Sequence, residues 1–368
     1  RYDRAMAVSD VARRIESAIN AFGNARTRKA GWVPSITGFS GYGSVDKAHV
    51  LGRVLMVDPD EDDDDPTFIP PSTHTPLGFI EEMEHRARRA SAEAKRGFRQ
   101  FFTVQVGDLP VRVTCGKQTV ETYTNPNGYI DIRVFNHGLE PGWHEVTIEA
   151  EGAKTVTGRV LIVSPEARVG LVSDIDDTIM VTKLPRALQA AWISWVRHTN
   201  TRKPVPGMGV FYEHVLTGHP GAPVFYLSTG AWNTYEMLEN FLTLHKLPVG
   251  PMLLTDWGPT PTGLFRSGQE HKKVQLRNLF LEFPEINWVL VGDDGQHDPL
   301  IYGEASSDHP DRIAGVAIRE LTPGEHLASH GSLTTMMQPD PSRPKSIPVI
   351  SGGDGYTLMR EYDRKPFV

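Results

Sequence analysis

The sequence predicts two units in series: an antiparallel β-sandwich, then an α/β unit built on a parallel sheet. Three observations predict this. Short alternating runs separated by turn residues fill much of 31–165. From about residue 166, uninterrupted apolar runs alternate with helical segments. The 368 residues exceed one ordinary core and suit two. The expected organisation is an amphipathic helical segment over 1–30 and a β-sandwich domain with an inserted helix over 31–165. An α/β domain over 166–321 and an irregular C-terminal tail over 322–368 follow.

The first segment places Val8, Val11, Ile15, Ile19 and Phe22 at helical spacing, with arginines on the other side. Residues 1–29 carry seven Lys/Arg against three acids, which suits an anionic membrane or an interdomain brace. The runs HVLGRVLMV, FFTVQVG, VRVTCG, YIDIRVF and HEVTIEA then read as strands, bounded by NPNG and EPG turns. With no helix between most of them, they suggest sheet packed on sheet. The inserted helix starts at Thr75 as N-cap and Pro76 as first residue, with Phe79, Met83, Ala87, Ala90 and Ala94 as its buried stripe.

In the second unit the strands are RVGLVSD, APVFYLS, PMLLTDW, NWVLVGD and IAGVAIR, interleaved with helical TYEMLENFLTLHKL and EHKKVQLRNLFLEF. Parallel strands covered on both faces read as continuous apolar runs, and their sites sit at the carboxyl ends. The last 45 or so residues are rich in Pro, Ser and Gly and read as irregular, ending in a short helix at YTLMREY.

Composition narrows the class. Hydrophobic content of 39% and charged content of 23% read as a soluble globular protein, and no apolar run approaches a membrane span. Cys115 is the lone cysteine, which excludes an internal disulfide and fits a reducing, cytoplasmic compartment. The chain opens on Arg1, so its start says nothing of a targeting segment. The net charge of -7 is concentrated in residues 58–65, DPDEDDDD, whose seven acids read as a solvated loop. No nucleic-acid partner is expected.

Chemistry-bearing residues gather at strand ends. The first strand of the second unit ends in Asp174-Ile175-Asp176-Asp177-Thr178 and the next in Ser228-Thr229-Gly230. A helix begins near His271-Lys272-Lys273, and the fourth strand ends in Gly292-Asp293-Asp294, with Asp298 four residues on. In order and spacing these elements resemble the four motifs of the haloacid dehalogenase superfamily: DxDxT, a Ser/Thr after a strand, a Lys, and GD with further acids.

The resemblance implies a Rossmann-like parallel sheet of the haloacid dehalogenase type and a phosphohydrolase using Mg2+. Asp174 would be nucleophile and metal ligand, giving an aspartyl-phosphate. Asp176 would lend its backbone carbonyl to the metal and its side chain as acid and then base. An acid at that position marks phosphohydrolases, whereas ion-pumping ATPases carry Thr. Ser228 and the Thr229 N–H would bind phosphate, and Lys272, favoured over Lys273, would offset its charge. Asp293 would complete the metal shell. Thr178, Asp294 and Asp298 would stand behind these groups, with Asp294 and Asp298 left as alternatives; Asp177 reads as a turn residue.

More narrowly, residues 168–320 resemble the actin-patch-protein type of phosphatidate phosphatase catalytic domain and its bacterial relatives. SDIDDTI, PVPGM, FYLSTGAWN, LPVGPMLL, SGQEHK and VGDDGQHDPLIYGE carry that likeness. Two departures stand out: Ser228-Thr229-Gly230-Ala231-Trp232 replaces the family's Ser-Asn-Ser-Pro-Trp, and Gly292-Asp293-Asp294-Gly295 replaces its Gly-Asp-Ser-Gly. The implied partner is a phosphorylated lipid such as phosphatidate, or a small soluble phosphomonoester; the alternative from another class is a non-catalytic binding or scaffold protein working through the β-sandwich. Peripheral membrane contact would come from the helical stretch KLPRALQAAWISWVRH, where Leu184, Leu188, Ala191, Trp192, Trp195 and Val196 share one face.

Overall fold

The structure, a computed structural model, describes residues 31–57, 105–181, 203–255, 268–295, 297–325 and 347–368. The helices expected over 5–24, 75–94 and 184–196, with Trp192 and Trp195, and the acidic run at 58–65 lie outside the described residues.

The N-terminal half contributes seven strands: β1 (Val33–Gly43), β2 (Lys47–Val57), β3 (Pro110–Cys115), β4 (Gln118–Tyr123), β5 (Tyr129–Phe135), β6 (Gly142–Ala150) and β7 (Val156–Ile162). They join in one sheet in the order β4-β3-β6-β7-β1-β2-β5. Every pairing is antiparallel except β1 with β7. The expected sandwich therefore differs in two respects: hydrogen bonding joins its strands into one ladder, and that ladder holds one parallel pair. Alternate residues such as Val50, Val54, Val111, Val113, Ile130, Val146, Ile148 and Val160 form its core. Three strands escaped the pattern reading. β1 is broken by glycines, β4 (QTVETY) has no buried residue, and β7 carries Gly158 mid-strand.

The second half holds a six-stranded parallel sheet, β12-β11-β8-β13-β14-β15. Its strands are β8 (Val169–Ser173), β11 (Val224–Ala231), β12 (Met252–Thr255), β13 (Asn287–Asp293), β14 (Ile313–Arg319) and β15 (Val349–Gly352). A two-stranded ribbon, β9 (Met180–Val181) with β10 (Lys203–Pro204), follows the end of β8. Among the described residues, five α-helices accompany the sheet: α1 (Met208–Leu216), α2 (Tyr235–Leu244), α3 (Gly268–Glu282), α4 (Asp298–Asp308) and α5 (Gly355–Arg364).

Strand alternation splits the interior into two layers. Leu171, Val224, Tyr226, Val289 and Val291 face a core shared with α1, α2 and α5. Val172, Phe225, Leu227, Trp288 and Leu290 face one shared with α3 and α4. Both faces being covered, the strands read as unbroken apolar runs. No described helix is long and apolar enough to cross a membrane.

Two further features differ from expectation. Residues 349–368, expected to be irregular apart from a short helix, supply the sixth strand and α5, which is capped by Asp354 accepting from Thr357 N. The two halves also share their cores: Phe39 and Tyr129 enter one layer, and Tyr42 and Val163 the other.

Candidate active site

β8 and β13 lie side by side, yet β8 leads to β11 on one side and β13 to β14 on the other. The carboxyl ends of such a pair form the crevice where α/β sheets bind ligands. Asp174 follows β8 directly and Asp293 closes β13; both are buried. The Asp174 N–H donates to Val291 O at 2.8 Å, extending the ladder by one residue.

Lys272 reaches the same point from the first turns of α3. It lies on the helix's buried stripe with Leu276, Leu279 and Phe280. Its Nζ donates to Asp174 Oδ1 and to Asp298 Oδ1, each at 2.6 Å. Lys273, one position round the helix, pairs with Glu304 at 2.5 Å outside the cluster. Asp298, the first residue of α4, is fully buried. Gly292 makes room for it, since a Cβ there would stand 2.5 Å from Asp298 Oδ2. Carboxylate oxygens of Asp174, Asp293 and Asp298 lie within 4.8 Å of one another.

The remaining expected residues divide between the site and its frame. Thr178 donates to Asp174 Oδ2 at 3.2 Å. Asp176 accepts from Ser228 Oγ at 3.1 Å, while Ser228 Oγ accepts from Gly230 N at 2.9 Å. Thr229 is held through its backbone at the end of β11, its carbonyl accepting from Thr255 Oγ1 at 2.9 Å. Asp294 turns away and accepts from Leu321 N at 2.8 Å. The choice between Asp294 and Asp298 thus falls to Asp298 for the cluster and Asp294 for the loop. Asp177 sits at φ 56°, a conformation that Asp tolerates, and its carbonyl accepts from Arg319 Nη1 at 2.7 Å.

Sequence reasoning missed three supporting groups. Ser173 Oγ donates to Asp174 O at 2.6 Å, so its contact with Tyr212 at 2.6 Å is a hydrogen bond donated by the tyrosine. Tyr302 donates to Val291 O at 3.0 Å, and buried Arg319 ties Asp177 to Gly353 and Glu325. Tyr302 shares α4's buried stripe with Asp298 and Ile301, which was a readable signal; the other two depend on distant elements.

Electrostatics follow from this burial. Desolvation pushes the Asp174 carboxyl well above the usual carboxylate range; Lys272 opposes the rise, while Asp298 and Asp176 add to it. Asp293 moves the same way, through burial first and then Asp298 and Asp174. Burial alone would lower the Lys272 ammonium, but Asp174 and Asp298 hold it above its ordinary value, so it stays charged. Three ionised carboxylates against one ammonium would leave two negative charges uncompensated. Among the described residues, Asp293 Oδ2 and Asp298 Oδ2 are buried without a hydrogen-bond partner. Buried, unpaired oxygens with surplus negative charge suit a hard divalent cation.

Residues 169–320 match the family described as Phosphatidate phosphatase APP1, catalytic domain. The chain is similar to Phosphatidate phosphatase APP1 of Saccharomyces cerevisiae, 29% identical over 154 residues, 41% of this chain and 26% of that one. It is also similar to an uncharacterized protein of Schizosaccharomyces pombe, 26% identical over 157 residues, 42% of this chain and 25% of that one. The chain thus spans about a quarter of the length of these relatives. Among solved structures, a carbohydrate acetylesterase from Xanthomonas citri aligns over 59% of this chain and 63% of its own. At 10% identity and a TM-score of 0.23 that likeness carries no argument.

Proposed function

We propose that this chain is a phosphoric monoester hydrolase of the haloacid dehalogenase type, dependent on Mg2+, with phosphatidate as its substrate. One observation carries the reading: Lys272 Nζ bridges Asp174 and Asp298 at 2.6 Å each, with Asp293 beside them, at the crevice between β8 and β13. The lipid part is supported by the name of the yeast relative and by the matched family.

Asp174, Asp293 and the Asp176 carbonyl would hold the cation, with Asp298 Oδ2 nearby. Bound there, Mg2+ supplies positive charge against which an anionic phosphoryl group can approach a carboxylate. The chain's own residues do the rest. Lys272 favours the ionised form of Asp174 against the cost of burial, aims it, and offsets charge on the phosphoryl oxygens. An Asp174 oxygen attacks phosphorus as the bond to the ester oxygen breaks. Asp176 protonates the departing alkoxide, which leaves as diacylglycerol when the substrate is phosphatidate. Asp176, now a carboxylate, takes a proton from water as that water attacks phosphorus. The Asp174–phosphorus bond breaks, and inorganic phosphate leaves. Ser228, hydrogen-bonded to Asp176 before substrate arrives, turns its hydroxyl to a phosphoryl oxygen, beside the Thr229 N–H.

The test is Mg2+-dependent phosphate release from micellar phosphatidate and from p-nitrophenyl phosphate, with EDTA as control. Hydrolysis of both, with preference for the lipid, is expected. Activity confined to the soluble ester overturns the lipid assignment, and inactivity on every phosphomonoester overturns the reading itself.

A further inference from the structure

We infer that the N-terminal sheet is a working part of the active site, with Phe39, Ser40 and Arg159 as positioning residues for the end of β11, which carries Ser228. The inference rests on the reading of the site given above, but its residues lie outside the family match at 169–320.

β1 loses register between Phe39 and Tyr42, a bulge that Gly41 permits, because a Cβ there would stand 2.1 Å from His49 O. Bulges re-aim side chains. Here consecutive residues both turn toward the α/β half. Phe39 stacks on Trp232 at 4.5 Å between ring centroids and lies 4.9 Å from Tyr235. Ser40, 1% exposed, meets the Tyr235 hydroxyl twice: its N–H donates at 2.9 Å, and its Oγ lies at 2.6 Å.

The proton count makes this network directional. Tyr235 donates its one proton to Glu239 Oε1 at 3.1 Å, so Ser40 Oγ is the donor in their shared bond. Arg159 completes the circuit, Nε donating to Ser40 Oγ at 3.0 Å and Nη2 to Glu239. Tyr235 has one donor and two acceptor positions, and all three are used. Such a saturated network holds its members more firmly than separate contacts would.

Trp232 follows the end of β11 directly, and Tyr235 begins α2 just after it. Thr234 Oγ1 donates back to Ala231 O at 2.7 Å, Gly230 N donates to Ser228 Oγ, and Ser228 donates to Asp176. A continuous set of contacts therefore runs from the bulge of β1 to the acid/base carboxylate. It bypasses Asp174, Lys272, Asp293 and Asp298, which are held by β8, β13, α3 and α4.

That separation gives the test its readout. In the 368-residue chain, Ser40→Ala and Tyr235→Phe should raise KM, and the inhibition constant of inorganic phosphate, by about three- to tenfold, the scale of one hydrogen bond. Half-saturation by Mg2+ should not move. A merely structural role would shrink the active fraction, lowering kcat with KM and phosphate inhibition unchanged, and that result overturns the inference. Amide exchange across 228–235, followed by mass spectrometry, reads the same coupling without any activity and should quicken by about tenfold in both variants. Unchanged exchange there also overturns it. A wild type that hydrolyses no phosphomonoester overturns the proposed function instead, while exchange still decides whether the sheet holds the end of β11.

Discussion

Replacing Lys272 by Met removes the charge and nearly keeps the volume. The side chain is 2% exposed, and its Nζ lies 2.6 Å from a carboxylate on either side. At an effective dielectric of about 20, each contact is worth about 6 kcal/mol of Coulomb attraction. Desolvation of several kcal/mol per ion offsets much of this. What decides the outcome is the state left behind, because Asp174, Asp293 and Asp298 would share one buried site with no resident cation. Breaking a buried pair by removing one partner costs about 3–5 kcal/mol. With a urea dependence of about 3 kcal/mol per molar, the unfolding midpoint in EDTA should fall by about 1–1.7 M. Added Mg2+ should return part of that loss, since a ligand that binds only the native state stabilises it. Turnover should fall by at least about 10²-fold in Mg2+. The assay is tyrosine and tryptophan fluorescence against urea, with and without Mg2+. A midpoint in EDTA within about 0.2 M of wild type would refute the reasoning, because a lysine that can be removed freely is not balancing buried charge.

Asp174→Asn should abolish phosphate release with the fold intact by circular dichroism, since it removes the proposed nucleophile's charge but not its shape; turnover above about a hundredth of wild type contradicts the assignment. Asp176→Asn should slow hydrolysis by about 10²- to 10⁴-fold and let a phosphorylated chain accumulate from p-nitrophenyl phosphate, visible by mass spectrometry of acid-quenched samples. Gly292→Ala should displace Asp298, whose Oδ2 would stand 2.5 Å from the new methyl, and its effect should appear as weaker Mg2+ dependence of activity and of thermal stability. His49 lies between Asp131 and Glu282, each at 3.9 Å. Burial would lower it, but the two carboxylates raise it above its ordinary 6.5. Its contribution is therefore complete below pH 6.5 and fades as pH rises through the higher folded value. The Tm difference between wild type and His49→Gln should be larger at pH 6 than at pH 9, and equal differences would remove His49 from the ion-pair group.

Much of the site was legible because its signals are local. A strand of unbroken apolar residues ending in Asp174-Ile175-Asp176-Asp177-Thr178 marks the carboxyl end of a buried parallel strand, where like charges must find a counter-ion. The alternation of strands and helices after residue 166 likewise prescribed the parallel sheet, because each period follows from the backbone geometry of its element. Lys272 over Lys273 was within reach of the sequence as well, since 272, 276, 279 and 280 form one helical stripe. Other features required the chain to close on itself. Asp294 and Asp298 are equally acidic, and what separates them is a loop that brings Leu321 N to the first and a helix start that places the second under Gly292. Strand β4 exposes alternate polar residues at the sheet edge, so it carried little hydrophobic pattern to read. Residues 349–352 pair with β14 through backbone hydrogen bonds, which composition does not encode. The grip of Ser40 on Tyr235 joins residues 195 positions apart. Local pattern thus determined which residues could do chemistry, and long-range packing decided which of them share one buried charge balance.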